Sequence, residues 1–515
     1  MTLIDWLIVG LYALFSVGIG IYSNRSIRSV SDYLVAGRNV RLSLNVATLT
    51  STELAIITVM ALAEVGYRQG FSAMMLGLCF FVGVTSVGAT GFIIEGLRRH
   101  RIMTIPEFYG IRYHQGVRWL GGLVLSLAGI LNMGVFLKIS ATFLAHISGS
   151  SASAVGWVMG LVLLVVLTYT LLGGRVSVVF TNYFQFLFIV IGAMVATGFA
   201  LHAAGWTNMV NTVRDQYGAG GFNPFAHDDM GWPFVLLNTL VFFAVPTIWQ
   251  PSAACGLSAA NPTVARKTIL WSGLTFMGRG TIPILWGIAA LAYFKIHGAD
   301  PAMKPVEAMP SFFAQVLPMG LIGLFVAGML ATDMSTYNGY LLAWSSILMQ
   351  DVIAPLCGSG LSDRGRLLIN RVLILLIGAF LLWWGLIYEP PASFFQYQQV
   401  TGTIYMSGAL ACILLGLYWQ RANSAGAFAA IVIGTIFPVA NVLMQDWIDR
   451  MPAWLHFLKN GWKAGLMAFV LAFVVMILTS LLTLRWVRPV VLAAAPNQPT
   501  PSPVPLPVAV PKELS

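Results

Sequence analysis

Apolar runs long enough to cross a membrane alternate with short polar stretches along almost the whole chain. The hydrocarbon core of a bilayer is about 30 Å thick, which a helix of around 20 apolar residues spans. The pattern predicts thirteen spanning segments: 5–23, 42–67, 70–97, 117–148, 155–172, 176–200, 233–256, 267–295, 316–350, 367–388, 391–418, 424–444 and 462–486. None shows the apolar/polar alternation typical of membrane β-barrels, so we predict an all-α integral membrane protein.

Two segments carry polar or proline residues near their middle. The second contains "TLTSTEL", residues 48–54, and the seventh contains "PTIWQP", residues 246–251. Interruptions at corresponding places in two halves are typical of transporters built from inverted repeats, whose binding sites lie at the breaks. The offset of five segments predicts two five-helix repeats, 42–200 and 233–418. Three flanking helices complete the domain: 5–23, 424–444 and 462–486.

Composition and charge support a membrane protein. Hydrophobic residues make up 58% of the chain and charged residues only 9%, whereas soluble proteins carry about 25% charged residues. The net charge of +10 does not indicate a nucleic-acid partner, because the basic residues lie in short loops between apolar segments. That distribution follows the positive-inside rule, and the predicted surrounding is a lipid bilayer.

The loop charges also predict an orientation. Arg25 and Arg28 follow the first apolar run rather than precede it, so we expect this run to be retained as a helix whose N-terminus is outside. An odd number of segments then places the C-terminus inside. The transporter domain is predicted to cover 1–487. The remainder, 488–515, is rich in proline, and its end, 493–515, is expected to be a disordered cytoplasmic tail.

Cysteine and histidine patterns indicate neither a disulfide framework nor a metal centre. The four cysteines lie far apart and without ligand spacing: Cys79, Cys255, Cys357 and Cys412. The neighbours His227, Asp228 and Asp229 fall in an external stretch that reads as a solvated loop. The remaining histidines are dispersed, and no nucleophile–base pair is evident, so we do not expect an enzyme or a cofactor.

Several stretches resemble a known family in their order and spacing. They are "SDYLVAGRNV" (31–40), "TIPEFYGIRY" (104–113), "LKISATFLAHISG" (137–149), "YTLLGGRVSVVFTNYFQ" (169–185), "GLIGLFVAGMLATDMSTYNGYL" (320–341) and "LLGLYWQRANSAGA" (414–427). Together they resemble the sodium:solute symporter family, which includes sodium–glucose symporters and proline permeases. The resemblance covers residues 5–487 and implies a LeuT-like core of two inverted five-helix repeats.

The resemblance also implies a sodium site. The family's central site lies between the first broken helix and the helix that carries "MST", so its side-chain ligands map onto Ser335 and Thr336. Its carbonyl ligands would fall near Ser51 and Leu54 in the break and near Thr332. Thr332, Ser335 and Thr336 share a helix face, although such hydroxyls also commonly bond back to carbonyls of their own helix.

Two carboxylates lie within spanning segments, where ionisable groups are costly and usually functional. Glu53 lies in the predicted break, and its position is acidic in proline-type members, where it supports sodium binding. Asp333 stands where the family usually has an apolar or small residue. We interpret both as coupling carboxylates, with the alternative that Asp333 forms an ion pair with Arg279 or Lys138.

Two departures from the family pattern bear on stoichiometry and solute. Many members have Asp where this chain has Asn182, so the resemblance implies one coupling sodium rather than two. In segment seven Gln250 remains, but Ala254 and Cys255 replace a Gln and an Arg, which argues against a sugar. Substrate contacts are expected from the broken helices and the eleventh segment: Thr58, Trp249, Gln250 and Gln399.

The resulting hypothesis is a sodium-coupled symporter for a small polar organic solute, working by alternating access. It would be a multi-pass protein of the plasma membrane, or of the inner membrane in a bacterium, and a monomer or loose oligomer. Two alternatives remain open: a proton-coupled symporter that uses Glu53 and Asp333, and a transporter-like membrane sensor of solutes.

The arginine distribution generates a testable topology. A cysteine introduced into 493–515 should react with maleimides only after the membrane is made permeable, because this tail is predicted to be inside. Labelling of that cysteine by an impermeant reagent in intact cells would contradict the orientation.

Overall fold

The structure, a computed structural model, describes residues 1–24, 38–150, 154–298, 302–357, 362–389, 393–448 and 450–492. Helices form nearly all of the regular structure in these ranges, and the only extended pairing there is a single isolated bridge. The all-α prediction is therefore confirmed. The predicted tail, 493–515, and the first loop, 25–37, lie outside the described residues.

The α-helices are numbered in chain order. They are α1 (Leu3–Asn24), α2 (Leu42–Glu53), α3 (Ile56–Gln69), α4 (Met75–Thr90), α5 (Phe92–Arg99), α6 (Ile105–Arg112), α7 (Gln115–Met133), α8 (Phe136–Ser148), α9 (Val155–Ala204), α10 (Trp206–Tyr217), α11 (Trp232–Ile248), α12 (Gln250–Ser258), α13 (Pro262–His297), α14 (Pro305–Val316), α15 (Leu321–Ile347), α16 (Ala354–Cys357), α17 (Asp363–Ile387), α18 (Phe394–Tyr418), α19 (Ser424–Leu443), α20 (Gln445–Ile448) and α21 (Gly461–Thr483). Shorter turns are the 3-10 helices Gly70–Met74, Gly218–Gly221 and Ala453–Lys459 and the π-helix Leu348–Ile353.

The predicted segments coincide with these helices in position but not in number. Within the described ranges, 9 spans are long and apolar enough to cross a membrane, or 10 if one bent pair counts as a span. The total of thirteen thus stays a prediction. The segments 155–172 and 176–200 both lie in α9, whose 50 residues would extend roughly 75 Å at 1.5 Å per residue. The helices α6, α10 and α14, which were not predicted, occupy connections between segments.

Both predicted interruptions are present as breaks between helices. Leu54 and Ala55 are extended between α2 and α3. The second break lies at Trp249, which is also extended, and α11 and α12 meet there at 48°. Pro251 follows in the first turn of α12, where the missing N–H of proline breaks no helical hydrogen bond. The polar and proline signals therefore located both breaks to within a residue or two.

Close helix packing around α13 depends on glycine. Gly280 approaches the backbone of Gly77 in α4, and Gly287 approaches the backbone of Ala63 in α3. Small residues let helix backbones meet in this way, which is how membrane helices gain packing contacts without a hydrophobic driving force. The helix α13 is thereby held against both α3 and α4.

The N-terminal helix holds the start of α15. Asp5 in α1 accepts hydrogen bonds from the backbone N–H groups of Gly320, at 2.8 Å, and Gly323, at 3.0 Å. The residue before α15 is a glycine with no side chain to cap the helix, so a carboxylate from another helix satisfies these donors. A β-carbon on Gly323 would overlap the backbone of Asp5, which shows how closely the two helices approach.

Backbone hydrogen bonds join the residues just before α2, in the first broken helix, to the end of α12, in the second. Val40 pairs with Ala259 in a parallel bridge: its N–H donates to the Ser258 carbonyl at 3.1 Å, and its carbonyl accepts from Ala260 at 3.1 Å. Arg98 donates to the carbonyl of Ala259 at 2.9 Å. These contacts fix α2 and α12 to each other outside the two breaks.

The glycine contact on α13 gives a stability prediction. Gly287→Ala should lower the stability of the folded protein by about 1–3 kcal/mol, because its methyl group must displace the backbone of α3. The matched control is Gly278→Ala in the same helix, where the nearest atom to a new β-carbon is 3.9 Å away. Thermal unfolding of both purified variants measures the difference, and equal midpoints would contradict the packing described.

Candidate functional site

The break in the first interrupted helix is tied to α15. Leu54 and Ala55 are extended, and a helix that ends leaves its last four carbonyls without N–H donors. One of these carbonyls, that of Thr52, accepts a hydrogen bond from the hydroxyl of Thr336 at 2.9 Å. The break therefore exposes backbone oxygens directly to the polar face of α15.

Asn182 in α9 connects the same elements. Its side-chain oxygen accepts a hydrogen bond from the Ser335 hydroxyl at 2.7 Å, and its amide donates to the hydroxyl of Thr52 at 3.1 Å. Its backbone carbonyl accepts from the hydroxyl of Ser51 at 3.1 Å. The sequence indicated only that Asn182 lacks a charge. The tertiary structure places its amide at the centre of this network.

The five residues predicted to bind sodium differ in the contacts that they make. Ser51, Ser335 and Thr336 meet where α2, α9 and α15 join, and Leu54 lies in the adjoining break. The hydroxyl of Thr332 instead donates to the carbonyl of Met329 in its own helix, at 2.6 Å. Within the described ranges no group of three or more His, Cys, Asp or Glu could hold a metal ion. The cluster consists of neutral hydroxyl, amide and carbonyl oxygens.

Asp333 forms no hydrogen bond with this oxygen cluster. It is 1% exposed, and neither of its carboxylate oxygens has a hydrogen-bond partner among the described residues. The polar groups on its side are the hydroxyl of Ser140 in α8, which donates to the Phe136 carbonyl, and the backbone N–H of Ile56. Ile56 is the first residue of α3, and the N-terminus of a helix carries a partial positive charge that stabilises an anion. A helix terminus, rather than a basic side chain, therefore lies opposite this carboxylate.

The two basic residues considered as partners of Asp333 bind elsewhere. Nη1 of Arg279 lies 3.7 Å from a carboxylate oxygen of Glu53. Nζ of Lys138 donates to the Tyr388 carbonyl at 2.9 Å and lies 3.3 Å from Glu389. The structure does not pair Asp333 with either base, because both lie beside other carboxylates.

A cavity adjoins the first break on the side of Glu53. Its volume, counted together with the open space at its mouth, is about 490 Å³. Apolar side chains form much of its wall, and Thr58, Trp249 and Gln399, three of the four predicted substrate residues, line it. The other polar lining residues include Glu53, Asn132, Arg279, Tyr340 and Gln398.

Gln250, the fourth predicted substrate residue, lies outside this cavity. Its side-chain oxygen accepts from the Ile105 N–H at 2.8 Å, and its amide donates to the Met103 carbonyl at 3.1 Å. Both polar ends of the side chain are thus occupied by the backbone before α6. Adjacent residues point in different directions, and Trp249 rather than Gln250 lines the cavity. The role of Gln250 in solute binding stays a prediction.

Five polar cavity residues had not been predicted as solute contacts, and three of them, Arg279, Asn132 and Tyr340, illustrate why. Arg279 and Asn132 are polar residues within apolar segments, which is a recognisable signal for a site inside the membrane. Tyr340 gave no such signal, because tyrosine is common in membrane helices. It joins the two breaks: its hydroxyl lies 3.4 Å from Glu53 and accepts from the indole N–H of Trp249 at 3.0 Å.

Sequence comparison gives one extended family match and several similar curated proteins. The model of the sodium:solute symporter family matches residues 33–434. The chain is 25% identical over 446 residues to the sodium/pantothenate symporter of Escherichia coli K12, covering 82% of this chain and 88% of the relative. It is 23% identical over 496 residues to the osmoregulated proline transporter OpuE of Bacillus subtilis 168, covering 93% and 94%.

Solved structures with the same fold include two transporters. A Na⁺-coupled sialic acid symporter, in a substrate-bound outward-open state, superposes with a TM-score of 0.75 at 17% identity and covers 93% of this chain and 98% of its own. MhsT in complex with L-phenylalanine gives a TM-score of 0.51 at 14% identity, covering 86% and 98%. The predicted LeuT-like fold is thereby confirmed.

Proposed function

The chain belongs to the sodium:solute symporter family, and from this premise we propose that it carries a small polar organic solute together with sodium across the membrane by alternating access. The observation that carries the proposal is the position of the first break. The Thr52 carbonyl beside the break accepts from the Thr336 hydroxyl of α15 on one side, while Glu53 and Thr58 line the cavity on the other. One irregular stretch of backbone thus serves both an ion and a solute.

Sodium binding would act through the contacts between helices. Ser335 and Thr336 now donate to oxygens of α9 and α2, and a cation would draw those same oxygens around itself. In one conformation of the protein the break is held against α15. If sodium binds that conformation more tightly than others, sodium raises the fraction of molecules that adopt it. Because Glu53 and Thr58 flank the break, that arrangement also determines the shape of the cavity.

One sodium ion is sufficient to drive accumulation. An uncharged solute would move together with one net positive charge, whereas a singly charged anion would move without net charge and be driven by the sodium gradient alone. Moving one charge through 100 mV is worth about 2.3 kcal/mol, which corresponds to a ratio on the order of 50-fold. Asn182 belongs to the same cluster, where its amide oxygen accepts from Ser335, and it brings no carboxylate to balance the charge of a second sodium. We therefore propose a single coupling ion, bound at the Ser335–Thr336 cluster, in a multi-pass protein of the plasma membrane.

Asp333 is proposed to strengthen cation binding from a distance. It lies on the same helix as Ser335 and Thr336, and a carboxylate in surroundings of low dielectric favours a nearby cation without direct contact. The competing function is proton coupling, in which Asp333 or Glu53 takes up and releases a proton during each cycle. The observation that favours proton coupling is that Asp333 is buried without a basic partner.

Alanine substitution tests the sodium cluster. Ser335→Ala and Thr336→Ala should each raise the sodium concentration for half-maximal uptake about 10-fold or more, since a bond to a charged group is worth about 1.5–3 kcal/mol. Solute affinity at saturating sodium should change far less. The control is Ser345→Ala in the same helix, whose buried hydroxyl donates to the Leu341 carbonyl of its own turn. An unchanged sodium dependence of Ser335→Ala would place the ion elsewhere.

Neutralising Asp333 separates the two coupling schemes. Asp333→Asn should fold, keep solute specificity and shift sodium activation to higher concentrations, because only a long-range attraction is lost. Uptake is measured in proteoliposomes across pH and sodium for both proteins. If the unmodified protein instead transports without sodium and faster at acid pH, and the variant loses that pH dependence, the carrier is proton-coupled.

A further inference from the structure

One basic side chain borders the cavity with most of its hydrogen-bonding capacity unused. A guanidinium has five N–H donors. In Arg279 only one contact is made to a hydroxyl, from Nη2 to Thr58 at 3.4 Å. Nε and Nη1 are buried, and neither has a hydrogen-bond partner among the described residues. The Glu53 carboxylate lies 3.7 Å from Nη1, which balances charge but is too long for a hydrogen bond.

Two other buried arginines, Arg98 and Arg112, are satisfied by backbone carbonyls. Among the described residues, Arg38 and Arg366 each leave one buried nitrogen, Nε, without a hydrogen-bond partner, whereas Arg279 leaves two. Each of the three nitrogens of Arg112 donates to a backbone carbonyl, at 2.7, 2.6 and 3.1 Å. Arg98 donates from two nitrogens to carbonyls at the end of α12, at 2.9 and 3.3 Å. Both are structural arginines that hold loops in place. Arg279 holds no loop, and its free donors lie beside a cavity.

Glu53, the carboxylate beside Arg279, has hydrogen-bond partners within the protein. Glu53 accepts a hydrogen bond from the hydroxyl of Ser252, and the hydroxyl of Tyr340 lies 3.5 and 3.4 Å from its two oxygens. Its acceptors are therefore largely occupied by the protein. The charges of Glu53 and Arg279 compensate each other. The carboxylate oxygens of Glu53 have hydrogen-bond donors, whereas two nitrogens of Arg279 have no acceptor. An additional acceptor is required near Arg279, whereas no additional donor is required near Glu53.

We infer that the transported solute is an organic acid whose carboxylate docks on Arg279 in the cavity, an inference that rests on the proposed function. A carboxylate offers two coplanar oxygens that match adjacent donors of a guanidinium. The guanidinium carbon lies 5.9 Å from the ring of Phe80 and 5.6 Å from that of Phe242, and both rings line the cavity. They present an apolar wall to the body of the solute, while Glu53 disfavours a doubly charged anion.

Matched pairs of acids and their neutral amides test the inference with the intact protein. The panel includes benzoate with benzamide, nicotinate with nicotinamide, and 3-phenylpropionate with its amide, each in sodium chloride and in choline chloride. Binding is measured as thermal stabilisation of the purified chain. Compounds that stabilise it in sodium should be acids, and each amide should bind about 10-fold to 100-fold more weakly, since hydrogen bonds to charged groups are among the strong ones. Amides that bind as well as acids, or no binding by any acid, would overturn the inference.

Variants assign the preference to Arg279. The change Arg279→Gln alone leaves Glu53 buried without a cation, which is strongly destabilising, so the informative protein is the double variant Glu53→Gln, Arg279→Gln. It should fold and lose the preference for acid over amide. Lys138→Gln is the control, because this second cation within the apolar segments contacts Tyr388 and Glu389 instead. A double variant that still prefers acids would overturn the assignment.

Failure of the inference and failure of the proposed function give different results. Sodium-driven uptake of neutral solutes, without a preference for acids, would leave the symporter function intact and reject the role of Arg279. If no solute of either kind were taken up or bound in a sodium-dependent way, the proposed function itself would be rejected. Uptake of an acid that depends on both sodium and Arg279 supports the two together.

Discussion

A backbone carbonyl or N–H that is buried within a bilayer must find its hydrogen-bonding partner inside the protein, because lipid offers none. The two breaks at Leu54–Ala55 and at Trp249 are the places where this protein departs from the regular helix that would meet the requirement. Each break is therefore enclosed by other elements. Thr336 donates to the carbonyl of Thr52 beside the first break, and the Val40–Ala259 bridge ties the outer ends of α2 and α12 together. The first break thereby brings a backbone oxygen to the hydroxyl cluster of α15, and residues beside both breaks line the cavity.

Charged side chains inside the protein also depend on partners that the protein itself supplies. Three ionisable groups lie near the first break, and each is stabilised differently. Glu53 has hydroxyl donors and Arg279 beside it, whereas Asp333 has the N-terminus of α3 and Ser140. Arg279 has a counter-charge and aromatic faces but too few acceptors. The unpartnered nitrogens of Arg279 belong to a residue that lines the cavity, which is where we infer that a solute carboxylate docks.

Much of the site could be inferred from the sequence where polar residues interrupt apolar runs. "TLTSTEL" and "PTIWQP" mark the breaks because hydroxyl side chains and proline weaken helical hydrogen bonding. Ser335 and Thr336 followed from a family resemblance, and Thr58, Trp249 and Gln399 do line one cavity. The sequence could not separate Trp249 from Gln250, since neighbours at a bend differ in direction by an amount that only the packing decides. Nor did it assign the partner of Arg279: Asp333 was considered from the sequence, whereas the structure places Glu53 beside Arg279, because the partner depends on which helices pack together.

The sequence by itself determined that the chain is an all-α membrane protein, because the hydrophobic content of long runs is a local property that requires no knowledge of neighbours. It also determined the position of the two breaks, which depend on residues within the same segment. The tertiary structure alone decided which polar groups meet. Asn182 joins Ser335 to Thr52 across three helices, and Asp333 lies opposite a helix terminus rather than a basic side chain. Such contacts depend on the distance and angle between helices far apart in sequence, and these are set by close packing such as that of Gly287 against Ala63.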